Sequence, residues 1–234
     1  MTALRDAGYR VIAYDRRGFG DSSKPSGDYS YDTLADDLDA LLSHLDLHRA
    51  TIVGFSMGGG EVVRYLAEHG SDRVEQAALI SSIIPLVPQK SDNPDGVPQE
   101  DLENIMQALH DDRVSFLAQF GKNFFNYDDH KSDISEQTLH YHWSIAAMAS
   151  HYATIATAEA WGGTDFRPEL QQVTVPTLIV HGDADQIVPI ETAGDQAAEG
   201  IPNNRYEVLS DAPHGLNYTH REQLNRLLID FLKQ

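Results

Sequence analysis

The sequence predicts an α/β domain built on a mainly parallel sheet with helices on both faces. Strand-like and helix-like patterns alternate at both ends of the chain, as they do in βαβ units. The run Val175-Pro-Thr-Leu-Ile-Val180 reads as continuously apolar, as a strand buried on both faces should. Between about 85 and 163 only helical patterns occur, so a helical insert interrupts the alternation.

The elements follow in order. Leu4 to Gly8 reads as the tail of a helix, and Arg10-Val-Ile-Ala-Tyr14 as a short β-branched strand with Gly18 and Gly20 beyond it. Asp32 is a plausible N-cap for a helix whose apolar stripe is Leu34, Leu38, Leu41, Leu42 and Leu45. Asp36, Asp37 and Asp39 fall near its N-terminal half, where the helix dipole favours negative charge. Thr51-Ile-Val53 is the next strand, followed by a helix from about Met57 to His69 that Gly70 stops. Gln76 to Ile80 gives another strand.

Helical patterns then cover Leu102 to Leu109, Val114 to Phe125 and Ile134 to Ala158. The last strand is Tyr206 to Leu209. Arg221 to Leu232 closes the chain as an amphipathic helix with Leu224, Leu227, Leu228 and Phe231 inward. Residues 1–84 and 164–234 thus form one α/β core. Residues 85–163 form a lid or cap over the carboxyl edge of the sheet, where open α/β folds bind ligands.

Composition narrows the function. With 234 residues the chain suits one sizeable domain. The formal charge of −19, from 17 Lys+Arg against 36 Asp+Glu, argues against nucleic acid and against an anionic membrane surface. There are no cysteines, so disulfides and thiolate metal sites are excluded. No basic stretch followed by an apolar run opens the chain, and the expectation is a cytoplasmic protein.

The chemistry centres on Gly54-Phe55-Ser56-Met57-Gly58. A G-x-S-x-G pattern arises by chance in roughly one chain in fifteen of this length, so its setting decides. Ile52 and Val53 end a strand, and a helical pattern starts at Gly59. A sharp strand–Ser–helix turn lifts the hydroxyl out of the sheet. It also leaves the Met57 N–H at a helix N-terminus, aimed at developing negative charge.

A serine hydroxyl needs a base, and the base an orienting acid. His214 lies in Ser210-Asp-Ala-Pro-His-Gly215, directly after the last strand. Asp183 and Asp185 lie in His181-Gly-Asp-Ala-Asp-Gln-Ile-Val-Pro189, and spacing alone does not choose between them. The other acid would order its loop by accepting backbone N–H bonds.

Other candidates carry less. His44 and His48 have a helical metal-ligand spacing but close a helix whose C-terminal dipole suits histidine. His140 and His142 have no third ligand near in sequence. Phe116, Phe120, Phe124, Phe125, Trp143 and Trp161 either line a pocket or form the core of the insert. The dense glycine run Gly58-Gly59-Gly60 belongs to the serine turn, so no phosphate loop or dinucleotide fingerprint remains.

Taken together, these stretches resemble the α/β-hydrolase fold, and within it the cofactor-free chloroperoxidase and aryl-esterase group of serine hydrolases. The resemblance runs over essentially the whole chain. It is carried by Tyr14-Asp-Arg-Arg-Gly-Phe-Gly-Asp-Ser22, Gly54 to Tyr65, Asn93-Pro-Asp-Gly-Val-Pro98, Thr164-Asp-Phe166, His181 to Pro189, and Ala212-Pro-His-Gly-Leu216.

In the family's D-x-x-V-P signature the catalytic Asp directly precedes the apolar turn, which implies Asp185. Ser56, Asp185 and His214 then match nucleophile, acid and base. The implied reaction is ester hydrolysis through an acyl-serine. Peroxide in place of water gives a peracid that oxidises halide off the enzyme. Neither metal nor haem is implied, and the expected substrate is a small-molecule ester.

One departure matters. Family members have strands ahead of the helix that ends near Tyr9, and the third carries a His-Gly-x-Pro-type loop supplying a second oxyanion N–H. Here no strand pattern precedes Arg10, and the His-Gly pairs, at His69, His181 and His214, all follow Ser56. The second donor is therefore unassigned. This motivates one alternative, a hydrolase-like protein that binds more than it turns over; a second alternative, a C–C bond hydrolase, uses the same triad. The missing strand would also lie between Arg10–Tyr14 and Thr51–Val53, leaving interior edges unpaired. Such edges recruit partners, so the expectation is a homodimer or higher homo-oligomer.

Overall fold

A computed structural model describes residues 1–131 and 133–234. Its sheet contains β1 (Ala50–Phe55), β2 (Val74–Ile80), β3 (Thr177–Gly182) and β4 (Asn204–Leu209), all parallel and in sequence order. The register sets Val53 beside Ala78, Leu79 beside Ile179 and Val180 beside Glu207. The helices are α1 (Thr2–Asp6), α2 (Tyr31–His44), α3 (Met57–Glu68), α4 (Gln99–Phe124), α5 (Glu136–Ala147), α6 (His151–Gly163), α7 (Gly194–Gly200), α8 (Leu216–Thr219) and α9 (Arg221–Phe231).

Strand side chains alternate between faces, and the two halves of the core follow that alternation. Ile52, Ala77, Leu79 and Ile179 pack with Tyr31, Leu38 and Val63 of α2 and α3, and with Ala197 of α7. Ala78, Ile80, Leu178 and Val180 pack on the other face with Leu216, Leu224, Leu228 and Phe231. Burial of both faces explains the apolar runs Ala77–Ile80 in β2 and Leu178–Val180 in β3. Among the described residues no helix is long and apolar enough to cross a membrane.

Three expectations need correction. Arg10–Tyr14, expected as a strand, joins no ladder among the described residues. A strand exists through its neighbour, and among the described residues none lies between this segment and β1. Ile12, Tyr14 and, on β1, Val53 are consequently exposed. The cap of α2 is Ser30, whose side chain accepts the Thr33 N–H, while Asp32 sits in the first turn. The pattern from Ile134 to Ala158 is two helices, because Ser150 starts α6 by accepting the Ala153 N–H at 3.3 Å.

The insert rests on the core through Ser150, whose N–H donates to the Gly18 carbonyl at 2.9 Å. Within it, Trp143 Nε1 donates to the Val114 carbonyl at 2.9 Å, which ties α5 to α4.

Candidate active site

Ser56 stands between β1 and α3 with φ of 53° and ψ of −122°, a left-handed backbone that a non-glycine residue adopts only when its surroundings enforce it. They do: its N–H donates to the Ile80 carbonyl at 2.9 Å, and its own carbonyl accepts the Gly59 N–H at 3.0 Å and the Ile83 N–H at 3.3 Å. The turn also requires close approach at Gly54. A Cβ there would stand 2.3 Å from the Gly58 carbonyl oxygen and 2.7 Å from the Gly59 nitrogen, backbone atoms that cannot yield without moving α3. Gly54→Ala is therefore expected to cost about 2–3 kcal/mol, a fall of roughly 5–10 °C in Tm by scanning calorimetry.

The hydroxyl so presented lies 2.9 Å from His214 Nε2. His214 Nδ1 lies 2.7 Å from Asp185 Oδ2. Both partners are buried, while Ser56 is half-buried and open to a reactant. The structure thus brings together the three residues that the sequence singles out, from loops after β1, β3 and β4. The Phe55 and Phe124 rings pack against the imidazole, with centroids 5.1 and 4.9 Å away.

The acid is tightly held. Asp185 Oδ1 accepts the Ile187 and Val188 N–H groups at 2.9 and 2.8 Å. His181, to which sequence pattern assigns no role here, places Nε2 2.9 Å from the Val188 carbonyl and 3.4 Å from Asp185 Oδ2. Burial alone would raise the Asp185 pKa, but the hydrogen bonds from His181, His214 and the Val188 N–H outweigh it and hold it at about 2.

A carboxyl depressed in the folded state stabilises above its unfolded value and loses that contribution as pH falls through its folded value. The contribution is about 2 kcal/mol at neutral pH. Urea midpoints of the parent and Asp185→Asn should therefore converge between about pH 4 and pH 2. Asp183 has a different part: its Oδ1 accepts the Asp211 N–H at 2.6 Å and joins the acid-bearing loop to the loop after β4.

Met57 is the first residue of α3, where the backbone N–H has no partner within the helix. Arg16 also reaches this end of α3. Its Nη2 would be 3.7 Å from a Cβ on Gly58, and its Nε donates to the buried Glu61 carboxylate, to which Tyr14 also donates. Burial pushes the Glu61 carboxyl up, and Arg16 opposes the rise. No sequence signal joined residues 45 apart. Of the histidines set aside, His48 pairs with Asp46 on the surface, and His142 packs beside Phe125.

Comparison with known proteins shows the family. Residues 1–221 match the family described as alpha/beta hydrolase fold. A putative non-heme chloroperoxidase of Synechocystis sp. is 46% identical over 234 residues, covering 100% of this chain and 84% of that protein. A bifunctional esterase/perhydrolase of Acinetobacter calcoaceticus is 34% identical over 227 residues, with 97% of this chain and 82% of the relative covered. Among solved structures, a bromoperoxidase from Bacillus anthracis superposes with a TM-score of 0.96 at 44% identity, covering 100% of this chain and 85% of that one. The chain belongs to the alpha/beta hydrolase fold family.

Proposed function

We propose that the protein is a serine hydrolase that cleaves carboxylic esters through an acyl-serine intermediate. The observation that carries this reading is the continuous hydrogen-bonded line from Ser56 Oγ through His214 to Asp185. A carboxylate accepts but does not donate, so the Asp185 contact calls for a proton on His214 Nδ1 and leaves the Nε2 lone pair facing the Ser56 hydroxyl.

As Ser56 Oγ attacks the ester carbonyl carbon, Nε2 takes the hydroxyl proton. The carbonyl π pair moves onto oxygen, where the Met57 N–H donates to it. Collapse expels the alkoxide, which takes the proton back from Nε2. Water then repeats the sequence on the acyl-serine, releases the carboxylic acid and restores Ser56. Hydrogen peroxide in place of water would release a peracid, which oxidises halide in solution. The names of the Acinetobacter esterase/perhydrolase and of the Synechocystis chloroperoxidase support this second branch.

Turnover of p-nitrophenyl acetate, run beside fluorophosphonate labelling, tests the proposal. Labelling at Ser56 with turnover supports it. Labelling without turnover would instead favour a protein whose Ser56–His214 pair is competent but whose oxyanion site lacks a second donor. Turnover unchanged in Ser56→Ala would end the reading altogether.

We also infer self-association through the open edge of β1, which carries exposed Val53 and, among the described residues, no neighbouring strand. Sedimentation across micromolar concentrations should give a dimer or larger. A monomer throughout would contradict it.

A further inference from the structure

The helical insert makes direct hydrogen bonds to both loops that carry the triad's acid and base. α4 is interrupted at Asp112, whose φ of −152° and ψ of 80° are non-helical, and whose Oδ1 accepts the Ser115 N–H at 3.0 Å. The half beyond this break carries Phe116, Phe120 and Phe124 on one face, with successive ring centroids 6.0 and 6.1 Å apart. It ends in the turn Phe124-Phe125-Asn126.

Two bonds leave this turn. The Phe124 carbonyl accepts the Gly215 N–H at 2.7 Å, one residue past His214. Asn126 Nδ2 donates to the Ala184 carbonyl at 2.7 Å, one residue before Asp185. Ala184 in turn donates its N–H to the Ala212 carbonyl at 3.2 Å, so the acid loop and the base loop also meet each other. A three-residue turn of the insert therefore grips each loop next to its catalytic side chain.

Asn126 is chemically unusual for a helix end. Its φ of 44° is left-handed, which asparagine tolerates better than most residues. A glycine, or an exposed asparagine, would meet that need alone. Instead the amide is buried at 6% exposure, and its Oδ1 has no hydrogen-bond partner among the described residues. A half-satisfied buried amide is costly, and the bond to Ala184 is what its donor half supplies in return.

We infer that Asn126 is a positioning residue, holding the Asp185 loop at the separation His214 requires, so that the insert is a structural support of the triad as well as its cover. The inference rests on the Ser56–His214–Asp185 reading proposed above. The expected mechanism is geometric. With the Ala184 carbonyl released, Asp185 drifts from His214 Nδ1, the imidazolium is less stabilised, and proton transfer from Ser56 slows.

The test compares the parent with Asn126→Gly, which keeps the left-handed turn and removes the donor. Asn126→Asp is run beside it, because it keeps the shape and replaces the donor by an acceptor. Misplacement of reacting groups on this scale costs on the order of 10- to 100-fold. Both variants should show kcat on p-nitrophenyl acetate down by about that factor per titrated site, with KM nearly unchanged. The acidic limb of kcat/KM should move to lower pH, and fluorophosphonate inactivation should slow in proportion.

A purely structural asparagine would lower Tm while leaving kcat per titrated site and the pH limb where they were, and that result overturns the inference. Should Asn126→Gly fail to fold, Asn126→Asp decides the matter on the same readouts. Absence of Ser56 labelling in the parent overturns both this inference and the reading beneath it. Parent-like variants beside an active parent overturn only this one.

Discussion

Ser56→Ala is expected to lose roughly 10⁴- to 10⁶-fold in kcat on p-nitrophenyl acetate, with KM little changed. In the proposed reaction the hydroxyl makes and breaks the bond to the acyl group, so its loss touches the transition state far more than ground-state binding. Without Oγ, His214 has no proton to accept at 2.9 Å, and the strained turn presents a methyl group to the ester. Because nucleophile and base act as one unit, Ser56→Ala with His214→Ala should be scarcely worse than either alone. Stopped assays at substrate concentrations spanning KM would measure both constants.

Asp185→Asn is expected to cost about 10⁴-fold in kcat, close to 5.5 kcal/mol of transition-state stabilisation. The size follows from how the carboxylate is held. The Ile187 and Val188 N–H groups both donate to one oxygen at 2.9 and 2.8 Å. In an asparagine that position must be the carbonyl oxygen, which turns the NH₂ toward His214 Nδ1. The imidazole then moves its proton to Nε2 and offers Ser56 a donor where an acceptor is required. Asp185→Ala, which forces no tautomer, should retain more activity than Asp185→Asn when assayed side by side.

The fold was legible where the physics is local. A segment buried on both faces is mostly apolar, so Ala77–Ile80 of β2 and Leu178–Val180 of β3 stand out in the sequence, and Ser56 stands out because a strand–turn–helix junction needs small flanking residues. Arg10–Tyr14 has a similar pattern and yet joins no ladder among the described residues, because a pattern states which residues could be buried in a sheet and not whether a neighbouring strand is there. Ser30 and Asp32 are both good caps, and only the backbone at Ser30, with φ of −61° and ψ of 160°, decides between them.

The site was legible to the same extent. Spacing left Asp183 and Asp185 equivalent; in three dimensions Asp185 faces His214, while Asp183 turns to the Asp211 N–H. Phe124 and Phe125, left open between pocket and core, divide: the former packs on His214, and the latter is buried at 2% exposure. Asn126 gave no signal, since its partner is 58 residues away and nothing in the intervening sequence encodes the meeting.

The central claim is that acyl transfer runs through Ser56. Rapid acid quenching during turnover of p-nitrophenyl acetate, followed by peptide mass spectrometry, tests it directly. The expected result is an acetyl group on the peptide carrying Ser56, absent from Ser56→Ala and decaying faster when peroxide is added to the water. Steady turnover with no adduct at Ser56, or an adduct on another residue that Ser56→Ala retains, would contradict it.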